Sequence, residues 1–572
     1  MFIERTDHLR TQVYDVLRRE RVLILAAIDV DSACACKIFQ NLLCCDGIQY
    51  SLVPVSGRQS LKQAFQEHAG QARHVVLVNC GATISVVDEL DANDETHFYI
   101  FDSHRPFDLY NVYSDKVHLV KLPDEDLDFP QPEEVFSDPE EEDEDSDGEV
   151  ADTYEDSLEP EEDDVGEPSA KRRAFTMKRK AQRRREKRVW EQKRADILFK
   201  YFEFYYHSSA TSLIMLELAH FMSKDNNDLV WWAIAGLTEQ LLYQRIDREK
   251  YVTDAAQLQE KFVLRLNNPS VSSVHTLRIQ FDQELRLALY RHWSMYESLL
   301  HSEYSSVNFK VWTQHGQKLL HEFLANMGLP LVQSKQKFGA MDKDIRNNVK
   351  TWMEELSPKY RLDDMTYGSF VAQFGYQHKF SAADVVHALT GLLENTDGQM
   401  DYSTNFFKAL DALSRTNSDV LRKGIALGLE HQLALSQQVR LFMDMKQIVS
   451  AGSFTYTYID ESSPHYRYFS NTVLLTRLAR YLQPTTRKRS QQLPFLLSAP
   501  ARGTPQTCVV LGVPAVREAA HKNYLSRAFE AAVRHMKGAV NIEFDSFEPA
   551  VVQMRYEDRP RFFDALTAVL ES

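Results

Sequence analysis

Seven consecutive apolar residues, 22–28 (VLILAAI), run straight into a polar stretch that suits a helix. A strand with no polar alternation has no wet face, so it belongs inside a sheet covered on both sides. The pattern repeats down the first 120 residues. Residues 32–44 read as a helix, 50–55 as a second strand and 61–68 as a second helix. Residues 74–79 read as a third strand followed by a short helix near 84–90, 96–101 as a fourth strand and 117–122 as a fifth. Such βα repetition predicts an α/β fold with a parallel sheet and right-handed crossovers. Ligands of such sheets sit at the carboxyl ends of the strands.

Charge interrupts this pattern. Residues 124–167 hold 24 Asp/Glu and no Lys/Arg, and residues 171–200 hold 14 Lys/Arg against 3 Asp/Glu. Without residues 124–200 the net charge of −16 falls to −3, so the acidity belongs to one insertion. A uniformly basic DNA-coating chain is thereby excluded, while a local basic groove is not. The acidic run cannot bury a core, and residues 123–180 are expected to be a disordered insertion, acidic and then basic.

Helical patterns dominate from about residue 181 to 440, for example at 212–222, 229–245, 281–298 and 308–327. The tail returns to mixed α/β, with strands expected at 493–498, 507–513, 542–547 and 551–554 and helices at 526–536 and 561–570. The expected domains are 1–122 (α/β, first part), 181–255 (its helical remainder), 256–425 (a helical partner-interaction domain) and 426–572 (a C-terminal α/β domain). Trp231, Trp232, Trp293 and Trp312 lie on apolar helix faces and suit core or interface anchors. Five of the six cysteines fall in the first 80 residues, inside apolar segments, as expected of buried thiols in a reducing compartment. Cys34, Cys36 and the Cys44–Cys45 pair lack the CxxC or His-pair spacing of a zinc site. The charged start MFIERTDHLR is unlike a signal peptide, and no apolar run reaches the ~18 residues of a membrane span. A soluble, intracellular protein without a membrane partner is expected.

Asp29 and Asp31 follow the first strand, Asn79 ends the third, and Asp102, Ser103 and His104 end the fourth. Extended chain projects residues i and i+2 to one side. Carboxylates and an imidazole from three neighbouring strands would then share a cleft, as in a two-metal phosphoesterase. On the residues alone the alternative is a helix cap at Asp31 or Ser32 and a polar turn before Pro106.

The segments IDVDSACACKIF, VNCGA and FDSHRP resemble the DHH phosphoesterases, to which the nuclease RecJ belongs. Together with the acidic-then-basic insertion, SKDNNDLVWWAIAGLTEQ, HGQKLLHEFLANMGLPL and FGYQHKF, they make the chain resemble the eukaryotic cell division control protein 45 family from end to end. The resemblance implies a DHH-like parallel-sheet domain, a helical interaction domain and a C-terminal DHHA1-like domain. It also exposes departures from active DHH nucleases. Ala27 stands for an Asp, Asn79 for an Asp, Ser103 for a His, and Gln240 for the Asp of a fourth motif matched by residues 236–240, unless Glu239 takes that place. The glycine-rich grip of active members is replaced by Ser-Arg-Ala-Phe-Glu at 526–530. Uncharged amides and hydroxyls do not gather divalent ions. The implied protein is a pseudo-enzyme with no metal or other cofactor.

The implied function is that of a non-catalytic subunit of the replicative DNA helicase, joined to the MCM hexameric ring and the GINS complex in the nucleus and binding single-stranded DNA weakly. The alternative is an active metal-dependent phosphoesterase or exonuclease. No GxxxxGK[ST] phosphate loop is present. Lys171, Arg172, Arg173, Lys178, Arg179, Lys180, Arg183, Arg184 and Arg185 suit a bipartite nuclear import signal. Arg477, Arg480, Arg487, Lys488 and Arg489 are the candidate DNA contacts.

Overall fold

A computed structural model describes residues 2–3, 8–68, 70, 72–123, 125, 127–136, 185, 187–267, 277–374, 378–396, 401–486, 493–515, 522–536 and 542–571. These form two compact units, Met1–Glu125 with Tyr205–Ser572, and Asp126–Phe204.

The first unit opens on a six-stranded sheet. Its strands are β1 (Phe2–Ile3), β2 (Val22–Ala27), β3 (Tyr50–Val55), β4 (His74–Val78), β5 (His97–Phe101) and, after the short β6 (His104–Arg105), β7 (Val117–Val120). The order is β1-β7-β5-β4-β2-β3 and every pairing is parallel. All residues of β2 and β4 are buried, as the unbroken apolar run requires. The order reverses at β2, so the crevice beyond the carboxyl ends of β2 and β4 is the topological switch point where such sheets place ligands.

Helix α1 (Val30–Cys45) lies on one face of this sheet and shares its core with α2 (Thr211–Phe221) and α3 (Asn227–Leu242). A short strand β8 (Tyr206–His207) leads into α2 and pairs antiparallel with β6. Trp231 and Trp232 are buried in this core, and Trp232 Nε1 donates to the carbonyl of Leu413 at 3.0 Å.

The middle of the chain departs from the helical reading. Residues 281–298 are not one helix: β9 (Arg278–Leu285) pairs antiparallel with β10 (Thr366–Phe374), and β10 pairs with β11 (His378–Ser381). Apolar Ile279, Phe281 and Leu285 fit both a period of two and a period near four. The partner strand, about 85 residues away, decides between them. The helix expected at 308–327 is broken as well. One helix, Glu303–Phe309, ends at Lys310 in the left-handed region, and Thr313 caps a new helix, Gln314–Asn326.

Helices α4 (Ala382–Leu393) and α5 (Ser418–Met445) touch backbone to backbone. A Cβ on Gly391 would sit 2.6 Å from the carbonyl of Gly424, so the contact requires glycine.

Helix α6 (Thr472–Leu482) falls between the second and third strands of a mixed sheet of β12 (Val449–Ser450), β13 (Thr455–Tyr458), β14 (Phe495–Pro500), β15 (Thr507–Val513) and β16 (Val551–Arg555), in that order. The strand expected at 542–547 is reduced to a single bridge between Glu543 and Gln553.

In the second unit residues 187–201 are helical, and Lys193 pairs with Glu134 at 3.1 Å. Pro132–Val135 forms a helical turn with proline at its start, and Val135 is buried. The expectation of disorder across 123–180 is therefore corrected for residues 127–136. Its remainder lies outside the described residues, apart from 123 and 125 in the first unit. No helix among the described residues is long and apolar enough to cross a membrane.

Candidate functional site

The carboxyl ends of β2, β4 and β5 bring together Asp29, Asp31, Asn79, Asp102, Ser103 and His104, all buried. Asp29 is extended but Asp31 is not, so the two do not share one stretch of extended chain. Asp29 is the N-cap of α1, accepting from Ser32 N at 2.7 Å, and Asp31 lies in the first turn of that helix. Neither Asp31 nor Ser32 is the cap.

Asn79 stands between the two carboxylates. Its Nδ2 donates to Asp29 Oδ1 at 3.3 Å and to Asp31 Oδ2 at 3.2 Å. Its Oδ1 accepts from Ser103 N at 3.2 Å and Thr211 Oγ1 at 2.5 Å. Asp31 also accepts from Thr211 N at 2.8 Å, Ser212 N at 3.0 Å and Ser212 Oγ at 2.6 Å. A Cβ on Gly236 of α3 would lie 2.5 Å from Asp31 Oδ1 and 2.1 Å from Ser212 Oγ, so this packing needs glycine. N–H and O–H donors thus satisfy oxygens that a divalent ion would otherwise hold.

Asp102 accepts from the backbone N–H groups of Gly81, Ala82 and His104 at 2.9–3.0 Å and from His104 Nδ1 at 2.5 Å. Burial pushes its carboxyl upward, but the His104 imidazole and these donors outweigh it and leave it at about 2. The reverse holds for His104: burial lowers it, and Asp102 with Glu548 raises it to about 10.

Of residues 236–240, Glu239 rather than Gln240 interacts with Asp29 and Asp31. Gln240 Nε2 donates to the carbonyl of Ser208 at 3.3 Å, whereas Glu239 faces the carboxylates and pairs with Arg245 at 3.0 Å. Burial pushes the Glu239 and Asp29 carboxyls up, and Arg245 opposes this in both. Arg245 therefore supplies positive charge beside both carboxylates.

A cavity of about 340 Å³ opens on this site from the side of the C-terminal sheet, lined by Asp29, His104, Arg245, Arg480, Arg502 and Glu548 among others. Arg480 lines the cavity, and its Nη1 has no hydrogen-bond partner among the described residues. Arg477 lines the same cavity but is buried and bonded to Glu303 at 3.0 Å and Gln432 at 3.1 Å, so its guanidinium is engaged inside the protein. Arg487, Lys488 and Arg489 lie outside the described residues, as do Lys171, Arg172, Arg173, Lys178, Arg179, Lys180, Arg183 and Arg184, while Arg185 is exposed. Cys34 and Cys36 are buried while Cys44 and Cys45 are exposed, and all six cysteines are free.

Sequence reasoning missed Thr211, Ser212, Arg245, His207 and Glu548. Thr211, Ser212 and His207 follow the insertion, and Glu548 lies more than 440 residues from His104. No local motif points to any of them.

Fold and site define a parallel-sheet α/β scaffold whose acidic cleft is filled by an amide, hydroxyls and a guanidinium. The CDC45 family model matches residues 22–569. The chain is 39% identical to the cell division control protein 45 homolog of Homo sapiens, covering 98% of this chain and 99% of that one. It is 27% identical to the homolog of Schizosaccharomyces pombe over 99% of both. The crystal structure of CDC45 from Entamoeba histolytica superimposes with a TM-score of 0.69 at 21% identity, covering all of both chains. The chain belongs to the cell division control protein 45 family.

Proposed function

We propose that this protein is a non-catalytic subunit of the replicative DNA helicase, required for initiation and elongation of chromosomal DNA replication in the nucleus. It joins the MCM hexameric ring and GINS, and it holds single-stranded DNA weakly. Family membership across 22–569 supports the role in replication. The observation that carries its non-catalytic character is the Asn79 amide donating to both Asp29 and Asp31. A two-metal phosphoesterase needs those oxygens free and charged. Here they are hydrogen-bonded, and the neighbouring Glu239 is paired with Arg245. The contribution to the helicase is architectural: this chain bridges ring and GINS while ATP is hydrolysed elsewhere. Reconstitution tests this. Mixed with MCM ring and GINS, the chain co-elutes as one complex and raises fork unwinding well above that of the ring with GINS alone. Failure to co-elute, or unwinding indifferent to its presence, contradicts the reading.

A further inference from the structure

Beside the old cleft, three side chains from distant parts of the chain aim at one point. β6 and β8 pair so that His104 faces His207 across the two strands, and their rings lie 4.8 Å apart. Glu548, from the segment before β16, reaches the same point. One ring nitrogen of each histidine and a Glu548 oxygen all lie within 4.8 Å of one another.

His104, His207 and Arg245 pair with Glu548 only loosely. Glu548 Oε1 is approached by His207 Nε2 at 3.5 Å, Arg245 Nη2 at 3.7 Å and His104 Nε2 at 3.9 Å. All three are longer than the ~2.7–3.2 Å of an N–H···O bond. Tetrahedral bonds of ~2.0–2.1 Å place ligand atoms about 3.4 Å apart, so small inward shifts would complete the set.

The surroundings suit a cation. Asp102 Oδ1 takes His104 Nδ1 at 2.5 Å, which turns Nε2 towards the shared point, as carboxylates do behind metal-bound histidines. Asp29, Glu239 and Glu548 surround Arg245, which Glu239 already holds at 3.0 Å, and Arg480 lies near Glu548 and Glu239 as well. His104 and Glu548 also line the cavity, so a fourth ligand position is open to water.

We propose that His104, His207 and Glu548 form a site for one divalent cation of the zinc class, which clips the N-terminal sheet to the C-terminal sheet. Two imidazoles and one carboxylate favour zinc over magnesium or calcium, which prefer all-oxygen shells. The site uses neither Asp29 nor Asp31 and is independent of the helicase assignment.

The test is zinc and cobalt binding by untagged, full-length protein stripped with EDTA. After dialysis against micromolar Zn²⁺, elemental analysis should find about one zinc per chain, and Co²⁺ should give the visible bands of a four-coordinate ion. Glu548→Gln and His207→Ala should lose that zinc, and Asp29→Asn should keep it. Asp102→Asn, a positioning change, should weaken zinc binding by about 10–100-fold. Wild-type protein that takes up no zinc and shows no cobalt band overturns the proposal, whether or not the variants fold. So does zinc that is retained in Glu548→Gln and His207→Ala.

Discussion

The side-chain nitrogen of Asn79 lies 3.2 Å from Asp31 Oδ2 and donates to it, so an amide rather than a carboxylate stands at the end of the neighbouring strand. The bond belongs to a closed set, because the same nitrogen also serves Asp29 and the amide oxygen accepts from Thr211 and Ser103. Asn79 has φ of 54°, a left-handed conformation that Asn tolerates better than most residues.

Asn79→Asp would remove both donations and place a third carboxylate against Asp29 and Asp31. An uncompensated buried charge of this kind costs about 3–5 kcal/mol. Urea denaturation of the variant in metal-free buffer should show a loss of that order. Asn79→Ala should cost less, about 1–3 kcal/mol, because it leaves acceptors unsatisfied but adds no charge.

Much of this site was legible in the sequence. An unbroken apolar strand announces a sheet buried on both faces, and Asp29, Asn79 and Asp102 follow three of its strands. What stayed hidden is nonlocal. Asp31 takes donors from Thr211 and Ser212, about 180 residues on, and helical phase rather than motif spacing brings Glu239, not Gln240, to Arg245. Strand β9 was hidden for the same reason, since only pairing with β10 makes residues 278–285 extended.

Acid should weaken the fold through His387 and His431. Both are buried, and neither ring nitrogen of His431 has a hydrogen-bond partner among the described residues. Burial, with Arg477 nearby, lowers each from 6.5 to about 3. The unfolded chain binds these protons below pH 6.5 and the folded chain does not. Their contribution is therefore complete above pH 6.5 and is lost as pH falls towards 3. Each histidine steepens the loss by up to about 1.4 kcal/mol per pH unit within that window. Urea midpoints between pH 7.5 and 5.5 should show the decline, and His431→Leu should make it shallower. An unchanged slope in that variant would show that His431 does not carry it.

The insertion separates two properties. Deleting residues 137–170 should leave the melting temperature nearly unchanged, since a run of Glu and Asp buries little. Starting the deletion at residue 130 should cost more, because it removes Val135, which is buried, and Glu134, which pairs with Lys193. Ser137 and Ser146 each precede an acidic residue three positions on, and phosphate there adds charge to an already charged run. Neutralising the basic residues from Lys171 to Arg185 should retain the protein in the cytoplasm by fluorescence imaging. Unchanged nuclear import would remove that assignment.

Single-stranded DNA binding should be weak, indifferent to base sequence and steeply dependent on salt. Each phosphate contact contributes about −0.7 to the log–log salt slope. Replacing Arg487, Lys488 and Arg489 by Ala should flatten that slope by up to about 2 units if all three touch phosphate. Arg480→Ala should weaken binding if the strand enters the cavity that Arg480 lines. Arg477→Ala should act on stability instead, since that guanidinium is bonded to Glu303 and Gln432. Fluorescence anisotropy with a labelled oligonucleotide across a salt series separates these outcomes.

The proposed non-catalytic role is that of a cleft whose Asp29, Asp31 and Asp102 are held by internal hydrogen bonds rather than by metal. Its most direct test is a nuclease assay on end-labelled single-stranded DNA with Mn²⁺ or Mg²⁺, using the purified chain alone and assembled with the MCM ring and GINS. The account predicts no cleavage above a metal-free control in either state. Cleavage that requires metal and disappears in both Asp29→Ala and Asp102→Ala would contradict it.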